Sequence, residues 1–368
     1  MSAPARHAPA PAPRPRDIRR TRSGGQPWLP VPLGLGVVVL MAAHLATGTQ
    51  AIAVVDVGRA LLGTSDVDPQ LRLIIVDIRL PRMLVAALAG AMLALAGALL
   101  QTVLRNPLAA PSVLGVSSGA VLLAAITVTY GPPVGTLGWR LPMLALVGGI
   151  TAGLLVYGLG RTDGHTDPTR LILAGVLLGG IASSATAVVV IVGGSSVSGV
   201  MRWMIGSLNG RVWTDWAVLW PWALATVPLA LLSARQANLL QLGDEVAAVR
   251  GLHVERTRIR LIVLAAALTA GAVAIVGAVA FIGLIVPHTI RGIVGSDTRR
   301  VFPLSALAGS GLLIAADAVV STLRLELPGD PLSPPALLPV GVLTALLGGA
   351  FFALMLWRGA HRGAGWIR

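Results

Sequence analysis

Cysteine is absent from the 368 residues, and so is lysine: all 28 basic side chains are arginine. Without cysteine there is no disulfide, no thiolate metal site and no cysteine nucleophile. Without lysine there is no Walker A lysine to reach nucleotide phosphates, no Schiff base and no kinase-type Lys–Glu pair. The chain therefore has no standard P-loop of its own for ATP hydrolysis. Charge is scarce, at 12% of residues, where soluble domains carry roughly 25%. That excludes an ordinary soluble domain. A hydrophobic content of 55% excludes a disordered chain. What is present is a series of long apolar stretches, the mark of a multi-pass membrane protein. The net charge of +13 fits arginine collecting in cytoplasmic loops better than it fits a nucleic-acid surface.

Residues 1–30 hold Arg6, Arg14, Arg16, Arg19, Arg20 and Arg22 among repeated Ala-Pro. Proline at that density prevents a continuing helix, so the sequence predicts a disordered cytoplasmic tail able to touch anionic lipid. A membrane-spanning body is expected over 31–357, and 358–368 is a short basic tail. Apolar segments fall at 31–49, 81–104, 112–131, 142–160, 170–193, 213–233, 260–295, 302–323 and 338–357. Most approach the ~20 residues a crossing helix needs. The segment 260–295 is too long for one crossing; a turn near Pro287 would divide it into a full helix and a short one. Ten crossings with both termini cytoplasmic then place most of the arginines inside, as the positive-inside bias requires. Gly149/Gly153 and Gly175/Gly179 are small-xxx-small pairs that let helices approach closely. Gly97-Ala98 precedes Pro107 by the same interval as Gly277-Ala278 precedes Pro287, the pattern of an inverted repeat.

Ion-coupled carriers place acids deep in the bilayer. Here the single acid well inside a span is Asp317, which reads as a locally satisfied structural group. With neither an ion relay nor a P-loop, energy is expected from a separate subunit. The longest cytoplasmic loop suits that partner. Asp244 is placed to cap a short helix, Glu245 and Arg250 suit the two ends of its dipole, and Gly251 can end it. Val246 and Val249 then share one face. Gly243, Asp244, Glu245, Val246, Ala247, Val249 and Gly251 are the candidate coupling residues.

At the outer mouth of the second span lies Arg79-Leu80-Pro81-Arg82. Proline suits a first turn, but two arginines at a helix N-terminus oppose its dipole. An acidic partner outside, or lipid phosphates, would explain them. The stretch from Arg105 to Ala120 holds two prolines and two glycines, which argues against regular helix through it. Broken backbone at membrane depth must line a cavity or be buried in protein. Asn106, Pro107, Gly115, Ser117 and Ser118 are therefore candidate pathway residues. No cluster has metal-ligand spacing, His288 is isolated, and no Gly-x-Ser-x-Gly elbow or hydrolytic carboxylate pair appears. No catalytic residue, metal or cofactor is expected.

Taken in order, Arg79-Leu-Pro-Arg82, Gly97-Ala-Leu-Leu-Gln101, Arg105-Asn-Pro-Leu-Ala109, Leu114-Gly-Val-Ser-Ser-Gly119, Trp203-Met-Ile-Gly-Ser-Leu208, Leu242-Gly-Asp-Glu-Val-Ala247, Phe281-Ile-Gly-Leu-Ile-Val-Pro-His288, Gly295-Ser-Asp297 and Pro339-Val-Gly-Val-Leu-Thr344 resemble the FecCD permease family. These are membrane subunits of ABC importers for iron–siderophore complexes, haem and vitamin B12. The resemblance implies an all-α bundle of about ten transmembrane helices with an inverted repeat, in the plasma membrane of a bacterium. It implies two copies of a cytoplasmic ATP-binding subunit, an extracytoplasmic substrate-binding protein or lipoprotein, and a second permease chain, identical or different, across a central pathway. The implied cargo is a ferric siderophore, with haem or vitamin B12 as the alternative; an ion-coupled secondary carrier is the rival of another class. By the same resemblance Gly243–Gly251 meets the ATPase, and Arg79, Arg82 and Arg324 meet the delivery protein. The chain departs from the family at Leu337, where a Glu is common, at Ala350, where a Pro is common, and at Ser321, where an Arg is common nearby.

Overall fold

The structure, a computed structural model, describes residues 28–48, 51–64, 67–132, 139–162, 165–193, 203–325 and 336–361. The tails expected at 1–30 and 358–368 lie largely outside them. Among the described residues, six helices are long and apolar enough to cross a membrane: Pro69–Val103, Arg140–Leu159, Thr169–Gly193, Trp213–Leu232, Val254–Val276 and Thr298–Thr322. Four shorter apolar helices, Pro30–Ala46, Val116–Tyr130, Ile282–Val294 and Val340–Met355, fall on the remaining apolar segments.

In chain order the helices are α1 (Pro30–Ala46), α2 (Val54–Leu62), α3 (Pro69–Leu73), α4 (Leu80–Val103), α5 (Val116–Tyr130), α6 (Arg140–Leu159), α7 (Pro168–Gly193), α8 (Trp213–Leu232), α9 (Ala234–Gln241), α10 (Asp244–Val249), α11 (Val254–Val276), α12 (Ile282–Val294), α13 (Thr298–Thr322) and α14 (Val340–His361). Among the described residues, extended structure is confined to two antiparallel pairs: β1 (Arg161–Thr162) with β2 (His165–Thr166), and β3 (Arg324–Leu325) with β4 (Ala336–Leu337). The starts follow local chemistry. Asp68 accepts the Gln70 N–H with Pro69 at the first helical position, and Asp297 accepts the Arg299 N–H.

Two helices form the centre. In their most apolar stretches, 78% of the residues in the span containing α4 and 72% of those in α11 are buried, against 11% in α7, which lies at the edge. Glycine sets the crossings. A Cβ on Gly90 of α4 would lie 2.3 Å from the Gly309 carbonyl oxygen of α13. The expected small-residue pairs also sit at crossings: Gly149 and Gly153 face Val116 and α11, while Gly115 approaches Gly175 and Gly179.

Three expectations are corrected. The long apolar segment does not turn near Pro287. It breaks at 277–281, where Gly277 (φ 76°) and Phe281 (φ 67°) leave the helical region, and Pro287 lies inside α12. Proline frees the Gly283 carbonyl, four residues back. The Gln101 side chain donates to the carbonyls of Gly283 (3.5 Å) and Leu284 (3.1 Å), which lets α12 continue. Second, Arg79 and Arg82 are not at a helix start. The helix begins at Pro69 and passes through a π-helical stretch, Ile74–Arg79, before α4. Third, the irregular backbone after α4 ends at Gly115 (φ 66°), and Ser117 and Ser118 lie in regular helix α5. Gly97 lies inside α4 while Gly277 ends α11, so the repeated Gly-Ala interval falls on different local structures.

Candidate coupling and translocation site

One end of the bundle gathers the turn after α4, the β1–β2 hairpin and the α9–α10 segment. Helix α10 is a compact unit of six residues between Gly243 (φ 113°) and Gly251 (φ 81°). Both glycines adopt left-side backbone conformations that a Cβ disfavours. Gly243 is the N-cap residue, and no side chain caps the helix. Asp244, expected as the cap, instead spends its carboxylate on two guanidiniums. Arg105 Nη2 donates to its Oδ1, and Arg258 Nη2 donates to Oδ2 at 2.8 Å. Ala247 is fully buried and seats α10 on the bundle, whereas Val246 is 43% and Val249 88% exposed. Glu245 lies on the exposed side as well. The candidate coupling residues thus divide: Val246, Val249 and Glu245 face outward, Ala247 anchors, and Asp244 ties the unit to its neighbours.

Arg105 is itself held in an unusual conformation. Its φ is 48°, which costs a non-glycine residue roughly 1–2 kcal/mol. Its Nε and Nη2 both donate to the Leu240 carbonyl, at 3.0 and 2.7 Å, at the end of α9. A guanidinium there also favours the negative end of the helix dipole. Arg258 continues the network to Glu255 Oε2 at 3.1 Å, and Thr166 of β2 donates to Glu255 Oε1.

Partial burial tends to raise the Asp244 pKa, but the guanidiniums of Arg258 and Arg105 outweigh it and hold the carboxyl below its ordinary 3.8. A depressed carboxyl contributes stability above its unfolded pKa and loses it as pH falls through the folded value. The difference in thermal stability between the wild type and Asp244→Asn is therefore expected to stay constant from about pH 5 to 8. It should close only as the pH falls below 3.8. A difference that shrinks near neutrality in a thermal scan contradicts these pairings.

The pathway candidates separate in space. Asn106 closes a local turn, its Oδ1 accepting the Leu108 N–H at 2.9 Å, and Pro107 is exposed at the bundle end. Ser117 and Ser118 instead line a cavity of about 90 Å³ with Val121, Ser183, Thr186, Met204 and Ala278. Gly115 lies behind it, against α7. Ser183 and Thr186 were not foreseen as lining residues. Two serines within an apolar helix, Ser183 and Ser184, were the available signal.

At the opposite end Asp317 is fully buried. Arg82 grips it with two bonds, Nε to Oδ2 at 2.7 Å and Nη2 to Oδ1 at 2.8 Å. His44 Nε2 lies 2.8 Å from the same Oδ2. The expectation of a satisfied structural acid agrees with this geometry. The partners are a finding: α1, α4 and α13 are tied together through one carboxylate. Arg79 is also turned inward, donating from Nη1 to the Leu45 carbonyl at 2.7 Å. The two arginines expected to meet an outside partner are thus engaged within the chain. Arg324 contributes a backbone pairing with Leu337 in the β3–β4 ladder; its side chain lies outside the described part.

Comparison with known proteins places similar chains beside this one. The chain is 36% identical to the cobalamin import system permease protein BtuC of Halobacterium salinarum over 91% of its length and 80% of the relative. It is 35% identical to the hemin transport system permease protein HmuU of Yersinia pestis, covering 90% and 98% of the two chains. It is 36% identical to the Fe(3+) dicitrate transport system permease protein FecC of Escherichia coli, covering 89% and 96%. Among solved structures, a metal-chelate type ABC transporter in an inward-facing conformation matches with a TM-score of 0.77 at 26% identity, over 90% of this chain and 99% of the other. The FecCD transport family model matches residues 36–358. A helical bundle with a clamped, outward-facing α10, matched along its length by import permeases, belongs to the FecCD transport family.

Proposed function

We propose that this chain is the membrane subunit of an ABC importer that carries ferric-siderophore complexes across the plasma membrane, driven by two copies of a separate ATP-binding subunit. The observation that carries the reading is α10. A six-residue helix leaves Val246 and Val249 in the open while its other side is anchored by Ala247 and Asp244. Exposed apolar side chains on a braced knob suit an apolar groove on a partner. The chain has no lysine for a P-loop, which puts ATP hydrolysis in that partner. Relatives named for ferric dicitrate, hemin and cobalamin share one cargo class, large metal chelates, and this favours a ferric chelate here.

A second permease chain completes the pathway. The cavity of about 90 Å³ is small beside the roughly 300–1,000 Å³ of ligand pockets. Ser183 and Ser184 are exposed on α7, which a lipid-facing surface would not favour. The end bearing Asn106 and α10 is assigned to the cytoplasm, with both termini, from the arginine distribution. The opposite end receives an extracytoplasmic substrate-binding protein. Arg79 and Arg82, bonded inward, fix the shape of that end, with Arg324 beside it.

Val246→Asp tests the reading. A carboxylate placed against an apolar contact is expected to weaken association with the ATP-binding subunit at least tenfold, about 1.4 kcal/mol. Membrane insertion and capture of the binding protein should be unchanged. Pull-down of the variant against each partner reads both. Normal ATPase binding together with normal uptake would remove α10 from the coupling role.

A further inference from the structure

Resting on the proposed coupling role of α10, we infer that Asp244 is the residue through which displacement of α10 reaches both helices that line the cavity: α5 through Arg105 and the turn after α4, and α7 through Arg258, Glu255 and Thr166.

Each oxygen of the Asp244 carboxylate serves one arm. Oδ1 takes Arg105, and Oδ2 takes Arg258. The first arm enters the chain immediately before Asn106-Pro107. From there the backbone runs through the 3₁₀ turn Pro111–Leu114 and Gly115 into α5, where Ser117, Ser118 and Val121 face the cavity. The second arm passes from Arg258 to Glu255, both on the first turns of α11, and from Glu255 to Thr166 of β2. That hairpin leads directly into α7, whose Ser183 and Thr186 face the same cavity. Two chemically separate routes thus start at one carboxylate and end on two walls of one space.

The segment that would move is built to move as a unit. Gly243 and Gly251 bound α10, and a Cβ at either would meet nothing within 4 Å. Open space thus lies at both ends of the segment, while buried Ala247 keeps it seated on the bundle. Charge-assisted bonds, one from each guanidinium, direct the carboxylate more specifically than apolar contacts do. Arg105, held at φ 48° between the Leu240 carbonyl and Asp244, has its backbone set by this network. A shift in Asp244 therefore changes the direction in which the chain leaves α4. Asp244 touches neither nucleotide nor cargo in this scheme. It is a positioning residue.

The absence of cysteine makes the test direct. Single thiols are introduced by Ser118→Cys on α5 or Ser183→Cys on α7. The complex with its ATP-binding subunit is placed in proteoliposomes, and maleimide labelling is timed with and without ATP plus vanadate. In the parent background both thiols should change labelling rate at least threefold. With Asp244→Asn the change should vanish at both positions in complexes that retain the ATP-binding subunit. Asp244→Glu should restore part of it. Arg105→Gln should silence the thiol at 118 and spare the one at 183, and Thr166→Val should do the reverse. These single-arm variants decide the matter if Asp244→Asn fails to assemble. Undiminished responses at both thiols in Asp244→Asn, or equal loss at both thiols in each single-arm variant, overturn the relay. A parent chain that binds no ATPase would instead overturn the proposed function itself.

Discussion

Asp317→Ala is expected to cost about 3–5 kcal/mol of stability, the range for breaking a buried ion pair by removing one partner. The pair is two-point and the carboxylate is fully buried. Removing it leaves the Arg82 guanidinium, whose side chain is 15% exposed, with no counter-charge at an apolar depth, and strands His44, which is 3% exposed. His44 Nδ1 already lacks a partner, so the ring has no second anchor. Loss of the carboxylate should loosen α1, α4 and α13 from one another together. Thermal unfolding in detergent reads the effect. The double variant Arg82→Met with Asp317→Leu should recover much of the loss, because apolar replacements of similar volume leave no charge unpaired. Equal destabilisation by the single and double variants would show that the carboxylate is not stabilised through Arg82.

Gly97→Val should be at least as damaging. A Cβ at Gly97 would stand 1.7 Å from the Gly283 carbonyl oxygen and 2.6 Å from its Cα. Both are backbone atoms, so no rotamer change relieves the overlap, and α4 must separate from α12. Overpacking costs typically about 1–3 kcal/mol where side chains can yield; with backbone on both sides the upper end is the expected minimum. Separation also breaks the Gln101 bonds to Gly283 and Leu284 that let α12 run through Pro287. The control is Gly292→Ala on the facing helix α12, where a Cβ meets nothing within 4 Å. That change should lie within about 0.5 kcal/mol of wild type. Yield and thermal midpoint of the two variants side by side check the contrast.

Much of this architecture was readable because apolar runs of bilayer length admit few structures, and helices fall on every segment expected from composition. Helix α10 was readable for a similar reason: two glycines and two acids bracket a short apolar motif, and that punctuation is local. What escaped the sequence is non-local. The bond from Arg105 to Asp244 spans 139 positions, that from Arg82 to Asp317 spans 235, and that from His44 to Asp317 spans 273. Nothing near His44 marks it as a carboxylate partner. Asp244 carries the lesson most clearly. An acid at a helix start is a natural cap, yet two arginines brought close by tertiary folding offer charge-assisted bonds that outcompete a neutral backbone N–H. Pro287 misled in the same way, because its vacated carbonyl is satisfied by Gln101 from another helix. Helices α2 and α3 are too short and polar to stand out as spans. The Asp68-Pro69 start was nonetheless a legible signal.

The central claim is that this chain is a pore without its own engine. The measurement that tests it most directly is uptake by proteoliposomes containing the chain, its ATP-binding subunit and its binding protein, with radiolabelled ferric citrate as the probe and haemin and cobalamin in parallel. Accumulation of a chelate that requires ATP on the α10 side and stops when the ATP-binding subunit is left out is the predicted result. ATP hydrolysis by the chain alone, or uptake driven by an ion gradient without the ATP-binding subunit, would contradict it.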